Sequence, residues 1–266
     1  MSGQVDLYRI YREFADPAVA EVRTETFGAD IGQNSWTTVE EYAQIAPGLA
    51  VLPGGHVLEV ASGSGGPAIH LARLLDCRVT GIDHDPGGVA TATRTASDCG
   101  ESNRVRFEIA DAEARLPFDS DSFDGVICID ALNHLRNRSG VLAEWRRVLR
   151  PGRRALFTDP VVVTGPVTNE ELALRSSIGH FLFVPPGVNE RLIEQAGLRL
   201  VRQEDRSDAA ASIAGRWHEA RHKRRDALVA LEGGPRFEGL QRFFAIVRDL
   251  ARERRLSRWL YVVEKA

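Results

Sequence analysis

The 266-residue sequence is poor in cysteine, nearly balanced in charge and free of long apolar runs. Its three cysteines are an odd number and lack the spacing of a disulfide framework or a metal site. The net charge of −3 gives no overall attraction to nucleic acid or to an anionic membrane. No stretch approaches the roughly 18 apolar residues of a membrane span, and no apolar signal segment stands near the start. We therefore expect a cytoplasmic protein without a metal, membrane or nucleic-acid partner.

The pattern of strands and helices becomes regular after Pro53-Gly54-Gly55. Helices of about ten residues alternate with five short apolar strands, at 56–60, 78–82, 105–109, 125–129 and 155–158. Such alternation is typical of a doubly wound, mainly parallel α/β sheet. Pro151-Gly152 is expected to stop a helix over 139–149. Residues 161–185 follow the fifth strand, where ligands bind in open sheets, and are expected to form part of a lid.

A glycine-rich turn follows the first strand, with the sequence Glu59-Val60-Ala61-Ser62-Gly63-Ser64-Gly65-Gly66. Such a turn brings the backbone close to a ligand and aims the N–H groups of the next helix at it. Dinucleotide sites share this pattern, so the glycines alone do not identify the ligand. A carboxylate at Glu59 would repel a pyrophosphate, and it suits a ligand with an ammonium group, such as the methionine part of S-adenosylmethionine.

Two further acids follow the next two strands. Asp83 ends the second strand, where a carboxylate can accept hydrogen bonds from both ribose hydroxyls. Asp111 follows the third strand, and its carboxylate with the backbone N–H of Ala112 can read the amino edge of adenine. A plain strand–helix turn with surface acids, and a nicotinamide-dependent enzyme, remain as alternatives.

These acids, with Leu116-Pro117-Phe118 and Arg150-Pro151-Gly152, make the region 56–160 resemble class I S-adenosylmethionine-dependent methyltransferases. The family more often has Asp at position 59 and Gly at position 61. The resemblance implies a Rossmann-like sheet of seven strands, mainly parallel, with an antiparallel last strand. It divides the chain into an N-terminal helical cap (1–52), a cofactor-binding core (53–160), and a part that supplies lid and substrate helices and completes the sheet (161–266).

The resemblance also implies S-adenosylmethionine as the cofactor. Glu59 and Gly63 would hold its amino acid part. Ala61, at a position where the family more often has Gly, would leave less room for the homocysteine backbone. The full predicted cofactor site comprises Gln33, Glu59, Ala61, Gly63, Gly65, Asp83, His84, Asp111, Ala112 and Asp130.

The acceptor side of the predicted site begins at Asp130-Ala131-Leu132-Asn133-His134-Leu135, just past the fourth strand. A carboxylate and an imidazole within one turn can bind an amine and take its proton. Alternatively, Asp130 caps the next helix and His134 is a packing residue. Asp159 ends the fifth strand and either faces the acceptor or holds the turn. We expect His134 to be the base, and Asp130 and Asp159 to orient the acceptor.

This segment is similar to the Asp-Ala-x-x-His-Leu of phosphoethanolamine methyltransferases, in which the His is catalytic. Over most of its length the chain resembles their small-molecule branch, which includes sarcosine/dimethylglycine N-methyltransferases. The stretch 27–32 matches the N-terminal segment that those enzymes fold over the cofactor. Phe14 stands at the position of their catalytic Tyr, with Tyr11 close by, and 176–181 lacks their phosphate-binding cluster. An acceptor less polar than a phosphobase is therefore expected.

Four side chains are predicted to contact the acceptor, namely Tyr11, Trp36, His180 and Phe181. Trp36 offers a cation–π face, or simply packs at a helix start. His180 lies among apolar lid residues, where packing is a simpler role than catalysis.

We expect in-line methyl transfer to a nitrogen or oxygen of a small metabolite by a monomer or homodimer. The alternatives are C-methylation of a natural-product or quinone/tocopherol-like scaffold, methylation of RNA or protein, and cofactor binding without catalysis. The basic stretches 216–225 and 252–258 are the main feature in favour of RNA. Acids interrupt both, which is typical of a solvated helix face.

Overall fold

The computed structural model describes residues 13–266. Its first helix, α1 (Pro17–Phe27), begins at Asp16, whose side chain accepts a hydrogen bond from the Ala18 N–H. Helix α2 (Val39–Ile45) begins in the same way, with the Thr38 hydroxyl accepting from the Glu41 N–H, and runs into the 3₁₀ turn Ala46–Leu49. The two helices lead the chain into the sheet.

The central part of the chain alternates strands and helices as expected. Its elements are β1 (His56–Val60), α3 (Gly66–Leu74), β2 (Arg78–Asp83), α4 (Pro86–Asp98), β3 (Val105–Ile109), β4 (Phe123–Cys128), the 3₁₀ turn Leu132–His134, α5 (Arg138–Val148) and β5 (Leu149–Val163). The last part comprises α6 (Asn169–Arg175), α7 (Val188–Gln195), β6 (Leu198–Asp205), α8 (Ser207–Lys223), α9 (Arg225–Glu232), α10 (Gly234–Arg252) and β7 (Leu256–Lys265). Among the described residues, no helix has both the length and the apolar character needed to cross a membrane.

The seven strands form one sheet in the order β3-β2-β1-β4-β5-β7-β6. Strands β1 to β5 pair in parallel, and β7 is antiparallel to both of its neighbours. The predicted Rossmann-like, mainly parallel seven-stranded fold with an antiparallel last strand is therefore confirmed. The strand order reverses between β1 and β4, and ligands bind at the carboxyl ends beside such a switch point.

The predicted helix over 139–149 is confirmed to within one residue, but the fifth strand begins at Leu149 rather than at the predicted position 155. Helix α5 ends at Val148 and the chain enters β5 directly at Leu149, which already pairs with Phe123 of β4. The register then shifts before Gly125 pairs with Arg154. Pro151 and Gly152, which has a φ of 71°, occupy this irregular stretch, where a missing N–H donor and a left-handed residue are tolerated.

A helical layer covers the carboxyl edge of the sheet. Helix α1 packs against α8, and α8 packs against α10. Their contact surface is a buried aromatic cluster that includes Phe27, Trp36, Trp217, Phe243 and Phe244. The described part of the segment 1–52 thus packs with the segment 161–266 above the core, and the boundaries at 52 and 160 stay predictions.

Candidate active site

A cavity lies between the carboxyl edge of the sheet and the helical layer. Its sheet side is formed by Ala61, Asp83, His84, Ile129, Asp130 and Ala131. Its opposite side is mostly apolar and includes Val22, Trp36, Ile178, Phe181, Trp217, Leu240, Phe243 and Phe244. The cavity therefore joins the predicted cofactor region to an aromatic chamber.

The glycine turn after β1 is too tight for side chains at two positions. A Cβ on Gly66 would lie 1.5 Å from the backbone oxygen of Ile31. A Cβ on Gly65, whose φ is 81°, would lie 2.6 Å from the Cβ of Ala92. The Ser64 hydroxyl donates to the Gly32 carbonyl at 2.6 Å, so the segment before α2 closes directly over the turn. This segment corresponds to the stretch 27–32 that the sequence predicts to cover the cofactor.

Asp83 ties the glycine turn to the end of β2. Its Oδ2 accepts from the Gly63 N–H at 2.9 Å, and its Oδ1 accepts from the Asp85 N–H at 2.9 Å. Ala61 bends the chain into the turn with a φ of 60°, a conformation in which glycine is favoured. Asp83 and Ala61 both line the cavity, so backbone contacts fix a carboxylate at its sheet side.

Glu59 is buried in β1 with only 4% of its surface exposed. Its Oε2 has no hydrogen-bond partner among the described residues. Burial, and then the negative charge of Asp83, raises the pKa of Glu59 to about 8. A cationic group next to Oε2 of Glu59 would give this atom a partner and would offset the cost of burying its negative charge. The orphaned carboxylate under a glycine cradle therefore fits the ammonium group of S-adenosylmethionine.

The remaining predicted cofactor residues take different positions. Gln33 is fully buried, and its side chain makes hydrogen bonds within its own loop. Its Oε1 accepts from the Ile31 N–H, and its Nε2 donates to the Ala29 carbonyl. His84 lines the cavity with a largely exposed ring. Asp111 is exposed and accepts from the Glu113 N–H, and Ala112 packs against the core, so neither borders the cavity. The adenine-binding role of Asp111 and Ala112 stays a prediction.

Asp130 is held on both of its carboxylate oxygens. Oδ1 accepts from the Thr158 hydroxyl at 2.7 Å and from Nε of Arg258 at 2.8 Å. Oδ2 accepts from the Trp36 N–H at 2.8 Å. Although Asp130 borders the cavity, these contacts commit its carboxylate to holding the loop around Trp36, which favours a structural role over direct orientation of the acceptor.

Asp159 does not reach the cavity. It is fully buried, and its Oδ2 accepts from Nη1 of Arg138 at 2.6 Å and from the Asn189 amide at 2.9 Å. Its Oδ1 accepts from the Val161 N–H at 3.2 Å. The prediction that Asp159 ends the fifth strand is wrong, since β5 continues to Val163, and Arg138 at the start of α5 forms an ion pair with the carboxylate. The geometry fits the alternative that Asp159 holds the turn.

His134 borders the cavity, and its ring is oriented by His180, which lies in the segment 161–185 that is predicted to form part of a lid. Nδ1 lies 2.7 Å from the His180 carbonyl oxygen, so Nδ1 donates and Nε2 keeps a lone pair. The Phe181 ring packs edge-on against the imidazole at 4.5 Å between centroids. Burial lowers the pKa of His134 to about 4, aided by the positive charge of Arg175. A neutral, oriented imidazole therefore faces the cavity at neutral pH.

Two of the four side chains predicted to contact the acceptor lie at the cavity. Trp36 and Phe181 line the cavity, and Trp36 packs against Trp217 at 6.1 Å between ring centroids. The His180 side chain is exposed, and its backbone carbonyl makes the contact with His134. Tyr11 lies outside the described residues.

The cavity lining includes several polar residues that the sequence did not predict, and Arg175 and Asn133 are two of them. Arg175 is 2% exposed, and its guanidinium lies over the rings of Phe181 at 4.6 Å and Phe243 at 5.2 Å. Asn133 is fully buried, and neither atom of its side-chain amide has a partner among the described residues. A lone arginine just before an apolar lid segment was the available signal for Arg175. Asn133 offered none, because its neighbours Asp130 and His134 explained the motif.

Residues 57–152 match the family model described as "Methyltransferase domain". This segment is therefore a methyltransferase domain, and with the seven-stranded sheet it has the fold of class I S-adenosylmethionine-dependent methyltransferases. The resemblance of the region 56–160 is thus confirmed for the matched residues 57–152, and the predicted fold is confirmed for the sheet.

The chain is similar to proteins of more than one specificity. It is 33% identical over 167 residues to 27-O-demethylrifamycin SV methyltransferase of Amycolatopsis mediterranei, a match that covers 59% of this chain and 61% of that relative. It is 36% identical over 108 residues to the ubiquinone/menaquinone biosynthesis C-methyltransferase UbiE of Geobacter sulfurreducens, covering 40% and 42%.

Among solved structures, phosphoethanolamine N-methyltransferase 2 of Haemonchus contortus, in complex with phosphomonomethylethanolamine and S-adenosylhomocysteine, superimposes with a TM-score of 0.81 at 18% identity. That match covers 97% of this chain and 60% of that one. The likeness shows a shared fold. The chain spans about three fifths of the length of the first curated relatives it matches.

Proposed function

We propose that the chain binds S-adenosylmethionine and transfers its methyl group to an oxygen or nitrogen of a small, largely apolar metabolite. The observation that carries the proposal is the buried, unpartnered Oε2 of Glu59 beneath the glycine turn, next to Asp83, which lines the same cavity as His134. The methyltransferase domain over 57–152 supports the same reading.

In this proposal, Glu59 binds the ammonium group of the cofactor, and Gly63 and Gly65 let the backbone approach its amino acid part. Asp83 accepts hydrogen bonds from the ribose hydroxyls, with His84 beside it. The Asp111 carboxylate and the backbone N–H of Ala112 form hydrogen bonds with the amino edge of the adenine. The bound cofactor supplies a methyl group activated by the positive charge on its sulfur.

The residues opposite the cofactor site would bind the acceptor and exclude water. Trp36, Phe181 and Phe243 form apolar walls, which suit a hydrophobic acceptor better than a phosphobase. Nε2 of His134 takes the proton that a hydroxyl or protonated amine must lose before its lone pair can attack. Much of the rate acceleration in such a transfer comes from holding the nucleophile in line. Asp130 contributes indirectly by fixing the segment that carries Trp36.

C-methylation is the second candidate, and the similarity to a C-methyltransferase over 108 residues supports it. The matched stretch comprises about two fifths of this chain. A carbon acceptor would be an enol or phenol whose ring or α-carbon becomes nucleophilic on loss of a proton. His134 could take the same proton in either case, so the product decides between the two candidates.

Two measurements test the proposal. Calorimetry with S-adenosylhomocysteine and, as a control, NAD should show binding of the former only. A screen of hydroxyl, amine and carbon acceptors with S-adenosylmethionine, read by mass spectrometry, should reveal a product heavier by one methyl group. Binding of NAD alone would overturn the cofactor assignment. Cofactor binding without any methylated product across the panel would favour a non-catalytic protein.

A further inference from the structure

Arg175 is a buried cation that lacks a counter-ion. Nη1 has no hydrogen-bond partner, and no carboxylate of the described residues lies within 4.0 Å of the guanidinium. Other arginines of the same cavity are paired: Arg23 with Asp30, Arg221 with Glu232, and Arg236 with Glu13 and Glu232. Arg175 therefore differs from the other arginines of this cavity in having no ionic partner among the described residues.

The two nearest sources of negative charge cannot neutralise Arg175. Asp130 and Asp159 both act on it through space, but Asp130 already pairs with Arg258 and Asp159 with Arg138. The rings of Phe181 and Phe243 attract the guanidinium. This attraction is weaker than the desolvation penalty of a buried ion, so the rings do not offset it.

Burial lowers the pKa of Arg175 to about 10, which still leaves the guanidinium charged at neutral pH. A charged group at such a position is stabilised when an anion enters the cavity. Asn133 also lines the cavity, and its buried amide N–H donors are without partners among the described residues. The cavity lining therefore includes one cation and one neutral donor that are available to ligand oxygens.

Arg175 also lies close to the proposed base. The Phe181 ring is in contact with both side chains, 4.5 Å from the His134 ring and 4.6 Å from the Arg175 guanidinium. An anion at Arg175 is thus within the region where the acceptor would react.

We propose that Arg175 is an anion-binding residue of the acceptor chamber, and that the acceptor carries an acidic oxygen group that is ionised when bound. The inference rests on the proposed function, since it names the class of acceptor for the same site. Two sources share this chemistry: a phenolic or enolic hydroxyl that is itself the nucleophile, or a carboxylate elsewhere on the acceptor. In the first case the hydroxyl proton moves to Nε2 of His134, and Arg175 stabilises the oxyanion that remains.

The test compares anionic and neutral probes of one shape. 4-Nitrophenol, whose ionised form absorbs visible light, 4-nitroanisole as its neutral methyl ether, and benzoate are titrated into the full-length protein, with and without S-adenosylhomocysteine. Wild-type protein should bind 4-nitrophenol as the phenolate at a pH where the free phenol is mostly protonated. This absorbance shift needs no variant and reports on the charge state of the ligand directly.

Three variants test whether Arg175 is the residue that causes the preference for the anionic probe. Arg175→Met should weaken binding of the anionic probe by about tenfold or more, since a charge-assisted bond is lost, and leave 4-nitroanisole affinity unchanged. Arg175→Lys should restore part of the phenolate shift. Arg236→Met removes a cavity arginine already paired with Glu13 and Glu232, and should leave the preference for the anion intact.

The outcomes separate this inference from the proposed function. Loss restricted to 4-nitrophenol supports an ionised hydroxyl, and loss restricted to benzoate supports a separate carboxylate. Equal wild-type affinity for phenolate and anisole, or an unchanged preference in Arg175→Met, overturns the inference even if S-adenosylhomocysteine binds. Failure of the wild-type protein to bind S-adenosylhomocysteine overturns the proposed function, and anion binding at Arg175 is then judged on the absorbance shift alone.

Discussion

Nε of Arg258 donates to Oδ1 of Asp130 at 2.8 Å, joining β7 to the loop that follows β4. The same guanidinium donates to Glu41 at 2.7 Å and to the Thr37 hydroxyl at 2.6 Å. Arg258 is fully buried, so one side chain connects the last strand, the cavity loop and the start of α2. The acid that the sequence places beside the acceptor is therefore part of a structural network that shapes the cavity.

Replacing Asp130 should reduce stability as well as activity. Asp130→Ala leaves a buried guanidinium short of a partner and frees the Trp36 N–H, which we expect to lower the free energy of unfolding by about 3–5 kcal/mol. Urea unfolding measures the loss, and Arg258→Met in the Asp130→Ala background should recover part of it. A stable Asp130→Ala protein that has lost only turnover would instead support a direct catalytic role.

Glu59 should couple cofactor binding to proton release. The pKa of Glu59 is raised to about 8 in the folded protein and is 4.5 when unperturbed. A raised pKa favours the folded state fully below pH 4.5, and this contribution is lost as the pH rises to about 8. At neutral pH a bound ammonium group would ionise Glu59, so the calorimetric enthalpy should vary with the ionisation heat of the buffer.

Glu59→Gln should abolish this buffer dependence. It should also weaken the binding of S-adenosylhomocysteine by about 1.5–3 kcal/mol, the value of a hydrogen bond to a charged group. Stability of the cofactor-free variant should no longer fall between pH 4.5 and 8. Glu59→Asp, which keeps the carboxylate, is the matched control and should retain proton release. Unchanged affinity in Glu59→Gln would count against an ammonium partner.

His134 should act as a neutral base over a wide pH range. Because burial lowers the pKa of His134 to about 4, its protonation should reduce turnover only near that pH. His134→Gln should lower kcat by roughly 10²–10⁴-fold, with S-adenosylhomocysteine affinity preserved. Full turnover in this variant would remove the base role.

The same group should make the folded state sensitive to acid. The unfolded imidazole gains a proton below about pH 6.5, whereas the folded one resists protonation until about pH 4. The stabilisation is therefore complete above pH 6.5 and is lost as the pH falls to about 4. Unfolding free energies of wild type and His134→Gln should converge across this window, which separates the contribution of His134 from that of other buried histidines.

Gly66→Ala should disturb the closure of the N-terminal segment over the glycine turn. The added methyl would lie 1.5 Å from the Ile31 oxygen, so backbone must move, at a cost of about 1–3 kcal/mol. We expect weaker S-adenosylhomocysteine binding, measured by calorimetry. Gly239→Ala in α10 is the control, because nothing lies within 4 Å of its added Cβ, and it should stabilise the helix by about 0.5–1 kcal/mol. Equal affinity in both variants would contradict a closed segment.

Local patterns predicted the sheet well, because strand and helix periodicity reflect burial on a layered fold. The start of the fifth strand was predicted too late, because Pro151 and Gly152 are tolerated within an irregular strand that pairing with β4 and β7 maintains. Glu59, Asp83 and Asp130 were located correctly at or beside strand ends, whereas Asp159 lies within β5. The partners of Asp159 and Asp130 were not predicted, because Arg138 and Arg258 lie 21 and 128 positions away in the sequence.

By itself, the sequence determined the class of fold, the glycine turn and the carboxylate in β1, since each depends on neighbours a few positions away. Tertiary structure alone decided which acids remain available to a ligand. Asp130 and Asp159 are engaged by buried arginines, whereas Glu59 and Arg175 are left without a counter-ion in the described part of the chain. The physical reason is that the ionic environment of a buried group is set by distant segments that packing brings within hydrogen-bonding distance.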